Sequence, residues 1–257
     1  MQNPASVPTS NHRVAIVTGA AGGLGSATAR LLAERGHDLG LVDVREDALE
    51  AVAGTLAPGV RVETIAADLS STADCERVVA ETIAKLGRVD ILVNAAAVLA
   101  RRALDDVTAE SFDKIFSINA RAPFFLARAA IRDMEARGWG RIVNVTSTGV
   151  YEGGVNMTSA PYEASKGAVA VFTKMFAKFG APKGVLVNTV CPGGMRTSML
   201  LDGTPADVVK GIEAKIPVGR LADPVEVARI IAWLAGDESS YATGATFDIN
   251  GGLVMPG

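Results

Sequence analysis

Short aliphatic runs recur along the chain: VAIVT at 14–18, LGLVD at 39–43, VETIAA at 62–67, DILVN at 90–94, RIVNVTS at 141–147 and GVLVNTV at 184–190. They are largely apolar without strict alternation, as expected of strands buried on both faces. Between them lie stretches with helical spacing, such as SATARLLAERG at 26–36 and SFDKIFSINARAPFFLARAAIRDMEARG at 111–138, each closing on a glycine suited to end a helix. Strands that alternate with helices need crossover connections. The pattern therefore predicts an α/β fold with one doubly wound, mainly parallel sheet and helices on both faces. No repeat or linker interrupts it, so one domain is expected over 13–257. Residues 1–12, MQNPASVPTSNH, are polar, carry two prolines and lack periodicity, and are expected to form a mobile tail.

Composition agrees with this picture and narrows the function. The chain of 257 residues is 49% hydrophobic and only 5% aromatic, so its core must be aliphatic. A formal net charge of -3 leaves no basic excess to recruit nucleic acid or anionic lipid. No apolar run approaches the roughly 20 residues that cross a bilayer. The N-terminal segment also lacks the apolar stretch of a signal peptide, so a cytoplasmic location is expected. Cys75 and Cys191 are far apart and are expected to be free thiols. The two histidines, His12 and His37, supply neither a clustered metal site nor a triad base, and no metal is expected.

The first strand runs into Thr18-Gly19-Ala20-Ala21-Gly22-Gly23-Leu24-Gly25 and then a helical stretch. Glycines at such a turn let backbone amides approach a pyrophosphate, and the helix N-terminus adds a favourable dipole. Gly19, Gly23 and Gly25 are the expected contacts. The second strand ends in Asp43, eighteen residues beyond Gly25. That is close to the spacing of about 20 at which a dinucleotide fold places an acid on the adenosine ribose. The carboxylate would repel the 2′-phosphate of NADP, and no cation occupies the glycine turn, so NAD is favoured. Arg45 keeps NADP open as the lesser alternative.

Tyr162-Glu163-Ala164-Ser165-Lys166 places a phenol and an ammonium four residues apart, on one face of a helix that begins near Pro161. A free phenol has a pKa near 10. A neighbouring cation stabilises the phenolate, so Lys166 is expected to lower the Tyr162 pKa and make it a usable acid/base.

The glycine turn TGAAGGLG, the acid ending strand two, VNVTS on strand five, YEASK, and CPGGMRT after strand six together resemble the short-chain dehydrogenase/reductase family. The likeness extends from about Arg13 to the C-terminus, including RLADPVEVARIIAWLAGDESSYATGATFDINGG, similar to the family's final helix and strand. The resemblance implies a Rossmann fold and an oxidoreductase. It implies that Ser147 hydrogen-bonds the substrate oxygen, that Tyr162 exchanges its proton, that Lys166 also holds the nicotinamide ribose, and that Asn119 relays protons through water to the lysine. Beyond Thr18, Gly19, Gly23, Leu24, Gly25 and Asp43, it implies cofactor contacts from Asp68 and Leu69 beside the adenine and from Asn94, Ala95 and Ala96 after strand four. Pro192, Gly193, Met195 and Thr197 are implied against the nicotinamide carboxamide.

Two departures stand out. Asn94-Ala95-Ala96-Ala97 lacks the family's usual second asparagine and final glycine, which bears on packing near the sheet. The fifteen-residue interval from Ser147 to Tyr162 is longer than is common, which should reshape the substrate pocket. That pocket is expected under residues 148–161 and about 194–216, with Tyr151, Met157, Met195 and Met199 as lining candidates. The 148–161 loop carries no Arg or Lys, although Arg196 lies nearby in sequence. A neutral alcohol or carbonyl compound of modest size is the expected substrate. A 3-oxoacyl-[acyl-carrier-protein] reductase using NADPH is the alternative within enzymes, and a dinucleotide-binding scaffold or sensor the alternative outside them. By the same resemblance a homotetramer is expected, formed through helices around 108–137 and 161–179 and covering the apolar ending GGLVMPG.

Overall fold

The structure, a computed structural model, describes residues 12–153 and 157–256; residues 1–11, and with them nearly all of the expected tail, lie outside the described residues. Seven strands form one sheet: β1 (Val14–Thr18), β2 (Asp38–Asp43), β3 (Val62–Ala66), β4 (Ile91–Asn94), β5 (Gly140–Val145), β6 (Val185–Pro192) and β7 (Thr246–Ile249). Their spatial order is β3-β2-β1-β4-β5-β6-β7, and every pair is parallel. Ten helices surround them among the described residues: α1 (Gly23–Glu34), α2 (Glu46–Ala53), α3 (Thr72–Leu86), α4 (Ala109–Phe116), α5 (Ala122–Arg137), α6 (Gly149–Glu152), α7 (Ala160–Gly180), α8 (Ser198–Leu201), α9 (Ala206–Glu213) and α10 (Pro224–Leu234).

The central strands read as continuous apolar runs because both their faces are covered. Ala15 and Val17 of β1, with Leu39, Leu41 and Val93, pack against Leu32 of α1, Leu49 of α2 and Ile231 of α10. Ile16 between them points the other way, with Val42 and Leu92, onto Val78 of α3 and Leu126 and Ala130 of α5. Successive strand residues thus feed two separate aliphatic cores.

The chain order reverses at β1, which has β2 on one side and β4 on the other. In such sheets a crevice opens beyond the carboxyl ends of the strands at that point. The Thr18 side chain ties its two walls together: Oγ1 accepts the N–H groups of Ala95 and Ala96 at 3.1 and 3.2 Å. Next to it, Asn94 Nδ2 donates to Asn144 Oδ1 on β5 at 2.8 Å, and Asn144 Nδ2 to Thr173 Oγ1 on α7 at 2.9 Å. Packing around the AAA segment after Asn94 is therefore held by Thr18 and this buried polar ladder.

The expected long helix over 108–137 is divided. Pro123 has no N–H to close an α-helical bond to the carbonyl of Asn119, and the ladder widens there into a π-helical turn, Ser117–Arg121. The Ala122 N–H then bonds the carbonyl of Ser117. The expected strand at 141–147 also ends early, at Val145, which leaves Thr146 and Ser147 beyond the sheet edge. Among the described residues no helix is long and apolar enough to cross a membrane.

Candidate active site

A cleft of about 610 Å³ lies over the carboxyl ends of β1, β4, β5 and β6. Gly19, Gly23 and Leu24 form one wall of it. Gly19 takes a φ of +66°, and a Cβ there would stand 2.8 Å from the Cα of Ala96. Gly25 is just as confined, since a Cβ would fall 2.1 Å from the carbonyl oxygen of Gly19. Only glycine lets this turn close at these two positions. Helix α1 follows with no side-chain cap and no acid in its first turn, which leaves its N-terminal amides for an anion. Gly25→Ala is expected to cost about 2–3 kcal/mol and to lower Tm by roughly 5–10 °C. A thermal melt checks it, and an unchanged melt would mean that the turn is not under this constraint.

Asp43 closes the far end of the cleft. Its side chain is 11% exposed and its Oδ1 lies 3.3 Å from Arg45 Nε. Oδ2 accepts the N–H of Ala21 at 3.2 Å, which ties the acid to the glycine turn. Arg45 lines the cleft as well, with its charge matched by the same carboxylate.

At the other end stand Ser147, Tyr162 and Lys166, with Pro192, Gly193, Met195 and Thr197 opposite. The Lys166 side chain is buried and its Nζ donates to the carbonyl of Val145 at 2.8 Å. Burial pushes its pKa down to about 8, and the nearby Glu163 works against that. Lys166 Nζ sits 5.7 Å from the centre of the Tyr162 ring. The expected lowering of the Tyr162 pKa by this lysine is not what the geometry produces. Burial pushes the phenol upward, Glu163 adds to the rise, and the Ser147 hydroxyl beside it pulls the other way. The physical reason is that burial removes the phenol from water, which disfavours its charged form.

Not every expected residue faces the cleft. Thr18 and Asn94 are buried beneath it and Gly25 behind it, while Ala95 and Ala96 line it. Leu69 belongs to the apolar core on the α3 side. Asp68 lines a separate, more open cavity of about 990 Å³ against Phe116, Phe124 and Phe172. Asn119 is fully buried in the π-helical turn. Its side chain accepts from the Val98 N–H at 2.8 Å and donates to the Val98 carbonyl at 2.9 Å and to Ser165 Oγ at 3.2 Å. It therefore braces the segment after β4 against α7. Of the lining candidates, Met195 and Met199 face the cleft. Tyr151 turns instead to Asp248, donating to Oδ2 at 3.3 Å, and Met157 is exposed. Arg196 is paired with Glu213 at 2.7 Å.

Sequence reasoning passed over Leu99, Arg101 and Glu163, all of which line the cleft. The first two follow a strand that ends at the crevice, a position that could have marked them. Glu163 stands between Tyr162 and Lys166 in YEASK, where the spacing alone gives it no role.

A family model described as "Enoyl-(Acyl carrier protein) reductase" matches residues 19–254, nearly the whole chain. The chain belongs to the short-chain dehydrogenase/reductase family. The acetoacetyl-CoA reductase of Allochromatium vinosum is 36% identical to this family member over 95% of its chain and 99% of its own. The cis-4-hydroxycyclohexanecarboxylate dehydrogenase of Sinomonas cyclohexanicum is 38% identical, with 93% and 96% covered. A short-chain type dehydrogenase/reductase from Mycobacterium marinum superposes with a TM-score of 0.89 at 32% identity, covering 96% of this chain and 97% of its own. This family of oxidoreductases binds a nicotinamide dinucleotide, and the tightly closed glycine turn on the cleft wall, followed by the uncapped N-terminus of α1, fits that group here.

Proposed function

We propose that the chain transfers a hydride between NAD(H) and a secondary alcohol or ketone, with Tyr162 as its acid/base. The observation that carries this reading is that one cleft is lined by the glycine turn, by the Asp43 carboxylate at its far end, and by Ser147, Tyr162 and Lys166 together at the other. The bound nicotinamide supplies or takes the hydride. In reduction the Ser147 hydroxyl holds the carbonyl oxygen and Tyr162 gives it the proton. Burial keeps the phenol protonated at neutral pH, so release of its proton depends on the Lys166 cation on the same helix face. Lys166 steadies the phenolate left behind and reaches the nicotinamide ribose. Asn119 supports the lysine end of this chain as a positioning residue, through its bonds to Val98 and Ser165.

Gly19, Gly23, Leu24 and Asp43 take the adenosine and pyrophosphate half, with Thr18 and Gly25 shaping the turn beneath them. Ala95, Ala96, Pro192, Gly193, Met195 and Thr197 take the other half, supported by Asn94. Asp68 and Leu69 stay at the adenine side by resemblance alone. Preference for NAD rests on Asp43, largely buried and bound to the glycine turn. The competing reading, an NADPH-dependent 3-oxoacyl reductase, has Arg45 on the cleft wall and the name of the acetoacetyl-CoA reductase in its favour. A tetramer is supported by Val171, Met175 and Phe179, which leave an apolar face of α7 more than half exposed.

The pH dependence follows from Lys166. With its pKa lowered to about 8, it is charged below that pH and neutral above it. Ketone reduction is therefore expected to fall as pH rises through this range, because the phenolate formed loses its cation. Lys166→Arg, permanently charged, is expected to move that limb upward. Rates of nicotinamide oxidation with a ketone panel from acid to alkaline pH check both. A flat profile would remove Lys166 from this role, and no oxidation with any ketone would remove the reading itself.

A further inference from the structure

The charged side chains on the cleft wall are Asp43, Arg45, Arg101, Glu163 and Lys166. All but one of them are engaged. Asp43 and Arg45 pair with each other, Lys166 Nζ donates to the carbonyl of Val145 at 2.8 Å, and the Glu163 carboxyl is packed against Gly149 and accepts from Ser159. Arg101 is different. Its side chain is exposed, lines the cleft and has no carboxylate partner among the described residues. Asp105 and Asp106 border a second opening beside it, yet neither is paired with it.

A lone surface arginine is no more than a solvated charge unless its position gives it a ligand. Here the backbone on either side of Arg101 is braced against the residues that surround Tyr162. On its N-terminal side, Val98 exchanges two hydrogen bonds with the Asn119 side chain, at 2.8 and 2.9 Å, and Asn119 also donates to Ser165 Oγ at 3.2 Å. Ser165 in turn donates to the carbonyl of Tyr162 at 2.6 Å. On its C-terminal side, the Arg102 N–H donates to the carbonyl of Thr158 at 2.9 Å, just before α7 begins. Arg101 therefore sits on a short span fixed at both ends to the helix and loop around Tyr162, away from Asp43 and Arg45. A substrate anion that enters there meets a cation with no other partner. A guanidinium holds carboxylates and phosphates through two parallel N–H bonds, which suits recognition of such a group.

We propose that Arg101 is a specificity-determining residue that binds a carboxylate or phosphate of the substrate, away from the reacting carbonyl. This rests on the oxidoreductase reading above. It replaces the neutral substrate, expected because the 148–161 loop carries no cation, with an anionic one, the cation coming instead from the segment after β4.

The test uses the full chain, whichever of NADH and NADPH it binds, and two sets of matched probes. 4-Oxopentanoate, 5-oxohexanoate and 4-oxocyclohexanecarboxylate are each compared with the corresponding primary amide, which keeps the shape and loses the charge. Acetoacetyl-CoA is compared with acetoacetyl-N-acetylcysteamine, which keeps the thioester and loses the phosphates. In the wild type at least one anion is expected to exceed its neutral partner in kcat/KM by about tenfold, mainly through KM, the scale of a charge-assisted hydrogen bond. That ratio is expected to fall toward one in Arg101→Gln and to be largely kept in Arg101→Lys. The set in which it falls identifies the source, a carboxylate on a small substrate or the phosphates of a carrier. Added salt is expected to lower the wild-type ratio as well, because the guanidinium is exposed, and this arm needs no variant to fold. Neutral partners reduced as well as every anion, a ratio indifferent to salt, or a ratio unchanged in Arg101→Gln would overturn the proposal. A fall in cofactor affinity with that ratio unchanged would assign the arginine to the cofactor instead. Failure of the wild type on every compound is a different result, since it removes the oxidoreductase reading and the proposal with it.

Discussion

Replacing Tyr162 with phenylalanine is expected to lower kcat about a thousandfold, the range in which a positioned general acid contributes, while NADH binding persists. The substitution removes only the phenol oxygen and keeps the ring that shapes the cleft beside Ser147. Neither remaining neighbour can take over the proton. Lys166 Nζ is held by the carbonyl of Val145 at 2.8 Å, and a proton given by Ser147 would only leave a serine alkoxide no more stable than the one it quenches. Loss should therefore fall on kcat and on kcat/KM together, as for an interaction made in the transition state. Stopped-flow reduction of a ketone by wild type and variant, with a parallel NADH titration, checks it. A variant within a few fold of wild type would take Tyr162 out of the chemistry.

The second large effect concerns the cofactor. Wild type is expected to bind NADH more tightly than NADPH, and Asp43→Asn to shrink that preference by about tenfold to a hundredfold, the scale of one like-charge contact at a partly buried site. Two changes act together. The carboxylate proposed to face the ribose 2′ position is neutralised, and Arg45, now 3.3 Å from Asp43 Oδ1, is released to meet a phosphate. Because the Asp43 side chain also accepts the Ala21 N–H, asparagine is chosen to keep an acceptor there and spare the glycine turn. Titration of both cofactors into both proteins reads the outcome. Tighter NADPH binding by the wild type would contradict the role given to Asp43 and favour the 3-oxoacyl reductase reading.

Much of this architecture is visible in the sequence because the relevant signals are local. The β1 and β2 runs are apolar at nearly every position, since each face meets its own aliphatic core. The glycine turn follows β1 directly, and the acid at the end of β2 is brought beside it by the parallel register in which Thr18 pairs with Val42. The spacing of Tyr162 and Lys166 places them on one helix at the cleft.

What was hidden depends on long-range partners. The break at Ser117–Arg121 required reading Pro123 as a missing donor to Asn119 within an otherwise helical pattern. The orientation of Tyr151 is set by Asp248, almost a hundred residues later. Whether Lys166 lowers the phenol pKa depends on the burial of both groups, which spacing does not reveal. Glu163 was hidden for a related reason: its space is made by Gly149, a residue outside its own helix.

The central claim is that hydride passes directly between the nicotinamide and a carbon bearing oxygen, inside the cleft that holds Tyr162. NADH carrying deuterium at both positions of the transferring carbon, incubated with wild type and the ketones that it consumes, tests this most directly when the product alcohol is analysed by mass spectrometry. The account predicts one deuterium on the new carbinol carbon, with the same label absent when Tyr162→Phe is used over the same time. Consumption of NADH without deuterium in the product, or label appearing equally with the variant, would contradict it.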